Sequence, residues 1–218
     1  MPERKDVMRS TTPMEGNPWP HDMVIAVDDD SHQLLELLWV REAWGLRTVG
    51  DGLPPKLVDA PVRAGDPGDR EAWEAEWPHV WEDVLSYAAV LVEPSMFEEL
   101  TRTADGSRER AELIRRLHGP TWRERFGEAA FTDEYQAWTE ARFHDRRDDR
   151  TRSVGESPER RSLDALIPAW QAGLSKVITI PCRGEHTRVI GGSTLLVTEA
   201  TRKDPDRYAV ALGKFAQR

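Results

Sequence analysis

The chain is predicted to be an α+β protein: a mostly helical body, a small antiparallel sheet near the C-terminus, and a final helix. Three observations carry this. Apolar residues recur at helical spacing through the first two thirds of the sequence. Three β-prone runs, KVITI, TRVI and STLLVT, follow one another with turn-forming breaks between them. The segment DPDRYAVALGKF then opens with Asp204 as cap and Pro205 at the first helical position, and turns Tyr208, Ala211, Leu212 and Phe215 to one side.

The elements read in order as follows. Residues 1–20 hold no apolar run and are expected to be a flexible tail, with one globular unit over 21–218. MVIAV is a short β-branched strand. The DDDSH that follows offers caps for a helix carrying Leu34, Leu37, Leu38, Arg41 and Trp44 on one face, stopped by Gly45. Residues 50–69 are rich in Pro and Gly and read as loop. The next helix carries a stripe of Trp73, Trp77, Trp81, Val84 and Ala88, with Pro78 expected to bend or break it. Shorter helices are predicted at PSMFEELTRT, SRERAELIRRLHG, PTWRERFG and TDEYQAWTEARFHDRR. A charged stretch near 146–157 is expected to be mobile. Ser157 and Pro158 open a helix whose buried face is Leu163, Leu166, Ile167 and Trp170, disturbed at its end by Pro168.

Composition narrows the function classes. Of 218 residues, 39% are hydrophobic and nine are Trp, which marks a folded protein. No apolar run reaches the length that spans a bilayer, and the N-terminal stretch has no apolar signal-like region. The single cysteine forbids an internal disulfide and a multi-cysteine zinc site. A cytoplasmic place is expected, with no membrane and no cofactor.

The net charge is −9, and residues 66–99 alone hold ten acids against Arg70, which accounts for all of it. Such a chain is not expected to bind nucleic acid, because phosphate neutralisation needs clustered Lys and Arg. It could attract a basic protein. Trp73, Trp77 and Trp81 would then act as aromatic anchors, ringed by Glu74, Glu76, Glu82 and Asp83. A stripe of this spacing equally describes a core-facing helix. A non-enzymatic protein that binds another macromolecule is the first functional expectation.

The alternative is a small hydrolase or transferase. Cys182 and His186 are four apart in PCRGEH, with Glu185 between them. A thiol nucleophile needs a base to form thiolate and a third group to orient that base. The competing reading makes Cys182 a small apolar residue at a strand end. The six histidines form no paired helical metal motif, although His21-Asp22 and His144-Asp145 occur as dipeptides, and no metal site is expected.

The stretch MVIAVDDDSHQLLELLWVREAWGLRTVGDG resembles the first strand and helix of a response-regulator receiver domain. That resemblance implies an acidic pair at Asp28-Asp29 for Mg²⁺. The rest of the receiver pattern is absent, since the phospho-acceptor position falls in GDREAWEAEW.

Overall fold

The computed structural model describes residues 6–8, 18–91, 94–149 and 157–218. Much of the expected N-terminal tail and of the expected mobile connection lies outside these residues. Within the tail, β1 (Asp6–Met8) pairs antiparallel with the next strand, and Trp19 is buried with its indole N–H donating to the Met23 carbonyl at 2.9 Å. Trp19 shares its buried cluster with Met23 and Ile25.

The fold is α+β, as expected. β2 (Ile25–Asp28) is followed by α1 (His32–Ala43), and a loop through 69 leads to α2 (Arg70–Ala88). The short helices are α3 (Pro94–Arg102), α4 (Arg108–His118) and α5 (Trp122–Phe126), followed by α6 (Asp133–Asp149). α5 opens with a reciprocal capping box between Thr121 and Glu124. α7 (Pro158–Arg161) and α8 (Leu163–Gln171) precede β3 (Lys176–Ile180), β4 (Thr187–Ile190) and β5 (Thr194–Thr198). α9 (Glu199–Lys203) and α10 (Pro205–Ala216) close the chain. The Asp204 carboxylate accepts from the backbone N–H groups of Asp206 and Arg207, so the cap seen in the sequence forms.

Pro78 does not break α2, which stays helical from Arg70 to Ala88. The helix is held by its packing: Trp77 and Trp81 stack at 5.4 Å, and the Trp77 indole donates to the Leu37 carbonyl of α1 at 2.8 Å. Tertiary burial of this kind outweighs one missing backbone hydrogen bond.

The sheet differs from the expected antiparallel arrangement. Its order is β1-β2-β3-β5-β4, and both β2-β3 and β3-β5 are parallel. The hairpin across Gly191 and Gly192 does form between β4 and β5, with both glycines at positive φ. No hairpin joins β3 to β4. The chain leaving β3 is captured instead by the loop at 56–58: Val58 N–H donates to the Pro181 carbonyl, and Arg183 N–H to the Lys56 carbonyl. β4 is thereby carried to the sheet edge, and β5 takes the inner place. β3 and β5 are buried at every position, as strands covered on both faces must be.

Two apolar layers cover the faces. Ile178, Ile180 and Leu196 pack against α1, α2, α5 and α6. Val177, Leu195 and Val197 pack against α8 and α10, together with Met23 and Ile25. The parallel strands thus end together, at Asp28, Ile180 and Thr198, on one rim of the sheet.

Candidate functional site

The tryptophan stripe is internal. Trp77 and Trp81 are fully buried and Trp73 is nearly so. Trp73 meets Trp44 and Trp122 edge-on at 5.4 and 5.2 Å. These side chains form the aromatic core joining α1, α2 and α5, which corrects the expectation of surface anchors. An indole buried at this depth contributes to folding and offers nothing to a partner.

The acids around the stripe are exposed or half-exposed, but each has a cation or donor from its own chain. Glu74 accepts from the Arg47 backbone N–H at 3.0 Å, and this bond, with Arg70, holds its carboxyl below the usual range. Arg125 reaches Glu76 at 2.7 Å and Asp83 at 3.6 Å. Arg188 of β4 forks onto both oxygens of Glu82 at 2.5 and 2.7 Å. These four acids are therefore largely balanced within the fold, and their pull on a basic protein is reduced accordingly.

The thiol fares no better as a nucleophile. Cys182 is completely buried, and burial pushes its thiol up to about 12. Its backbone bridges Leu57. A thiol in this state carries almost no thiolate at neutral pH. Glu185 is exposed and pairs with Arg207 at 3.3 Å. A completely buried thiol does not favour a thiolate site at Cys182, His186 and Glu185, and its burial suits the competing reading of a small apolar residue at a strand end. Iodoacetamide is expected to leave Cys182 unmodified in the folded protein and to label it fully in denaturant. Labelling of the native protein at the rate of an ordinary thiol would reverse this conclusion.

His186 is half-buried, and burial, aided by Arg188, lowers its imidazole pKa. The unfolded chain then binds this proton more readily than the folded one. Stability is expected to fall as pH drops below about 6.5, the ordinary histidine value. A His186→Gln variant should flatten the decline in denaturation midpoint between pH 7 and pH 5. An unchanged slope would show that His186 is not its source.

The structure assembles a different constellation. A cleft of about 180 Å³ opens between the start of α1 and the middle of α6. Asp30, His32 and Leu35 form one wall, and Tyr135, Trp138 and Arg142 belong to the other. It lies at the rim where the parallel strands end, because Arg142 also donates to Glu199, the residue directly after β5, at 3.0 Å. Open parallel sheets bind their ligands at this rim.

Behind His32 lies an ion-paired group. Glu36, 3% exposed, accepts from Arg123 at 2.9 and 3.0 Å and lies 3.2 Å from His32 Nε2. Arg123 also pairs with Glu128 and lies over the Phe131 ring at 3.8 Å. The Tyr135 phenol is pushed far above its ordinary value, first by burial and then by Glu36. His32 is consequently held by a fixed carboxylate while its ring faces the cleft.

The receiver-like strand and helix exist as β2 and α1, but Asp28 is occupied by the Lys176 ammonium at 3.2 Å. Among the described residues no group of three or more His, Cys, Asp and Glu is placed to hold a metal ion. No helix among them is long and apolar enough to cross a membrane. No family model, no curated protein and no solved structure matches the chain.

Proposed function

We propose that the chain is a non-catalytic protein that docks another macromolecule on the hairpin formed by α3 and α4. One observation supports the reading above all. Both helices are amphipathic, yet among their described residues Leu113 alone is buried. Phe97 is 49% exposed and Ile114 38%, and Val90 and Leu91, which lead into the hairpin, are 63% and 45% exposed. Helices patterned this way gain stability when the apolar face is covered. Large apolar side chains gathered on one surface element mark an interaction site.

This moves the contact surface away from Glu74, Glu76, Glu82 and Asp83, whose carboxylates are engaged within the chain. The partner is accordingly read as a protein with a complementary apolar face and not chiefly as a basic one. A cytoplasmic place belongs to this reading and agrees with a lone reduced thiol. The alternative, a hydrolase or transferase using Cys182 and His186, gains no support from a buried thiol.

A photoreactive residue at position 97 tests the proposal in extracts of the source cells. The expected result is one dominant cross-linked protein, absent when the probe sits at position 210 on α10. Association should persist when salt is raised, because screening acts on charges and not on apolar contact. No cross-link at 97, or equal capture at 210, would overturn the hairpin assignment. Loss of binding in salt would return the contact to the acidic segment.

A further inference from the structure

We propose that the outer edge of β4 takes up an extended, acid-bearing segment of another protein as an added strand. Three features lead there, and none of them involves the α3–α4 hairpin.

The first is the hydrogen-bond register. β4 ends the sheet order, and β5 is its one neighbour among the described strands. Antiparallel residue pairs alternate between those that exchange both backbone bonds and those that exchange none. The Thr198 N–H donates to the His186 carbonyl at 3.3 Å, which fixes the alternation. His186, Arg188 and Ile190 therefore bond to β5, and Thr187 and Val189 turn their N–H and C=O groups outward. These outward groups have no hydrogen-bond partner among the described residues.

The second is how little blunts this edge. Sheets commonly protect an edge strand with proline, lysine or a bulge. β4 is Thr-Arg-Val-Ile in unbroken register, and its Arg188 is drawn back onto Glu82 of α2. A Cβ added at Gly184 before the strand, or at Gly191 after it, would meet nothing within 4 Å.

The third is charge. Residues 183–218 hold seven Arg and Lys against four Asp and Glu, in a chain of net charge −9. Part of this surplus lies along β4. Arg207 of α10 meets Glu185, ahead of the strand, at 3.3 Å. An Arg218 guanidinium nitrogen lies 3.9 Å from where a Cβ on Gly192, past the strand, would sit. Lys214, seven residues after Arg207, shares its side of α10. Lys214 and Arg218 have no ion pair among the described residues. An added strand turns alternate side chains to the α10 side, where acids would meet these bases. A second copy of β4 fits less well. The register that uses all the outward groups sets Arg188 against Arg188 of the other copy, and like charges directly opposite destabilise a strand pair.

NMR spectroscopy of the full chain tests this with three peptides. Acetyl-EVTVTVE-amide, laid antiparallel on β4, sets its threonines opposite Thr187 and Val189 and its glutamates toward Arg207 and Arg218. It is expected to shift the Thr187 and Val189 amide signals saturably and to slow their hydrogen exchange. Acetyl-KVTVTVK-amide should bind at least about tenfold more weakly, the scale of one charge-assisted hydrogen bond. The glutamate peptide N-methylated at both threonines should not bind, because its donors to the edge are gone. Thr187→Pro removes an edge donor and no bond to β5, and should weaken the glutamate peptide by a similar factor, with its unfolding midpoint recorded alongside. If that variant fails to fold, the N-methylated peptide carries the test. No saturable shift, equal binding of the lysine peptide, undiminished binding of the N-methylated one, or unchanged affinity in folded Thr187→Pro would each overturn the proposal. So would Thr187 and Val189 amides already protected in the free chain, whether by its own residues or by a second copy.

Discussion

Replacing Glu159 by alanine is expected to cost about 3–5 kcal/mol of folding stability, the range for removing one partner of a buried ion pair. The carboxylate is completely buried in α7. Arg202 of α9 grips both of its oxygens, at 2.7 and 2.9 Å, and the Tyr208 hydroxyl of α10 lies 3.3 Å away. Three helices are thus fastened at one point on one face of the sheet. Truncation would leave the Arg202 guanidinium, 16% exposed, without its carboxylate in a site that excludes water. The expected loss is therefore dominated by an unpaired charge and less by the missing methylenes. Urea denaturation measures it, read as a lower midpoint at an unchanged slope. A Glu159→Leu/Arg202→Met double variant separates the causes, since well-packed apolar replacement of a whole buried pair is often neutral or stabilising. A single variant within about 1 kcal/mol of the native protein would show that the pair contributes nothing net.

Glu159 also illustrates what can be read along a chain and what cannot. The helix caps at Ser157 and Asp204 and the glycine turn at 191–192 were legible, because each depends on residues a few positions apart. The unbroken apolar character of KVITI and STLLVT, the mark of strands covered on both faces, is also local. It does not say which strand lies beside which. The parallel β3-β5 pairing depends on Pro181 and Arg183 meeting the loop at 56–58, more than a hundred positions away in sequence. The tryptophan stripe reported correctly that Trp73, Trp77 and Trp81 share a face. Spacing cannot report whether water or Trp122 lies opposite that face.

The same limit applied to the acids. Glu76 and Glu82 look unopposed in their own segment, and their arginines arrive from 49 and 106 residues away. In the cleft, the i, i+4 pair of His32 and Glu36 could have been noticed, because Glu36 is a carboxylate inside an apolar run. Arg142, which gives the cleft its second charge, could not be placed there from its position in α6.

Lys176 provides the other large expected effect. It is 1% exposed, and its ammonium donates to the Ala88 carbonyl at the end of α2 and lies 3.2 Å from the Asp28 carboxylate. Ala26 lies opposite Lys176 in the parallel register, so this contact reaches two residues along β2 and fixes how the two strands align. A one-residue slip would turn Asp28 to the opposite face and strand the ammonium. Lys176→Met keeps most of the stem and removes the charge, leaving Asp28 and the Ala88 carbonyl without their donor. The expected loss is about 3–5 kcal/mol by chemical denaturation. Asp28→Asn added to Lys176→Met should recover part of it, because the double variant no longer holds an uncompensated charge. If the two losses simply add, the ammonium and carboxylate act separately and the register must be set by apolar packing alone. Recovery would instead identify the pair as the feature that aligns β2 with β3, and with it the direction in which Asp30 and His32 leave the sheet.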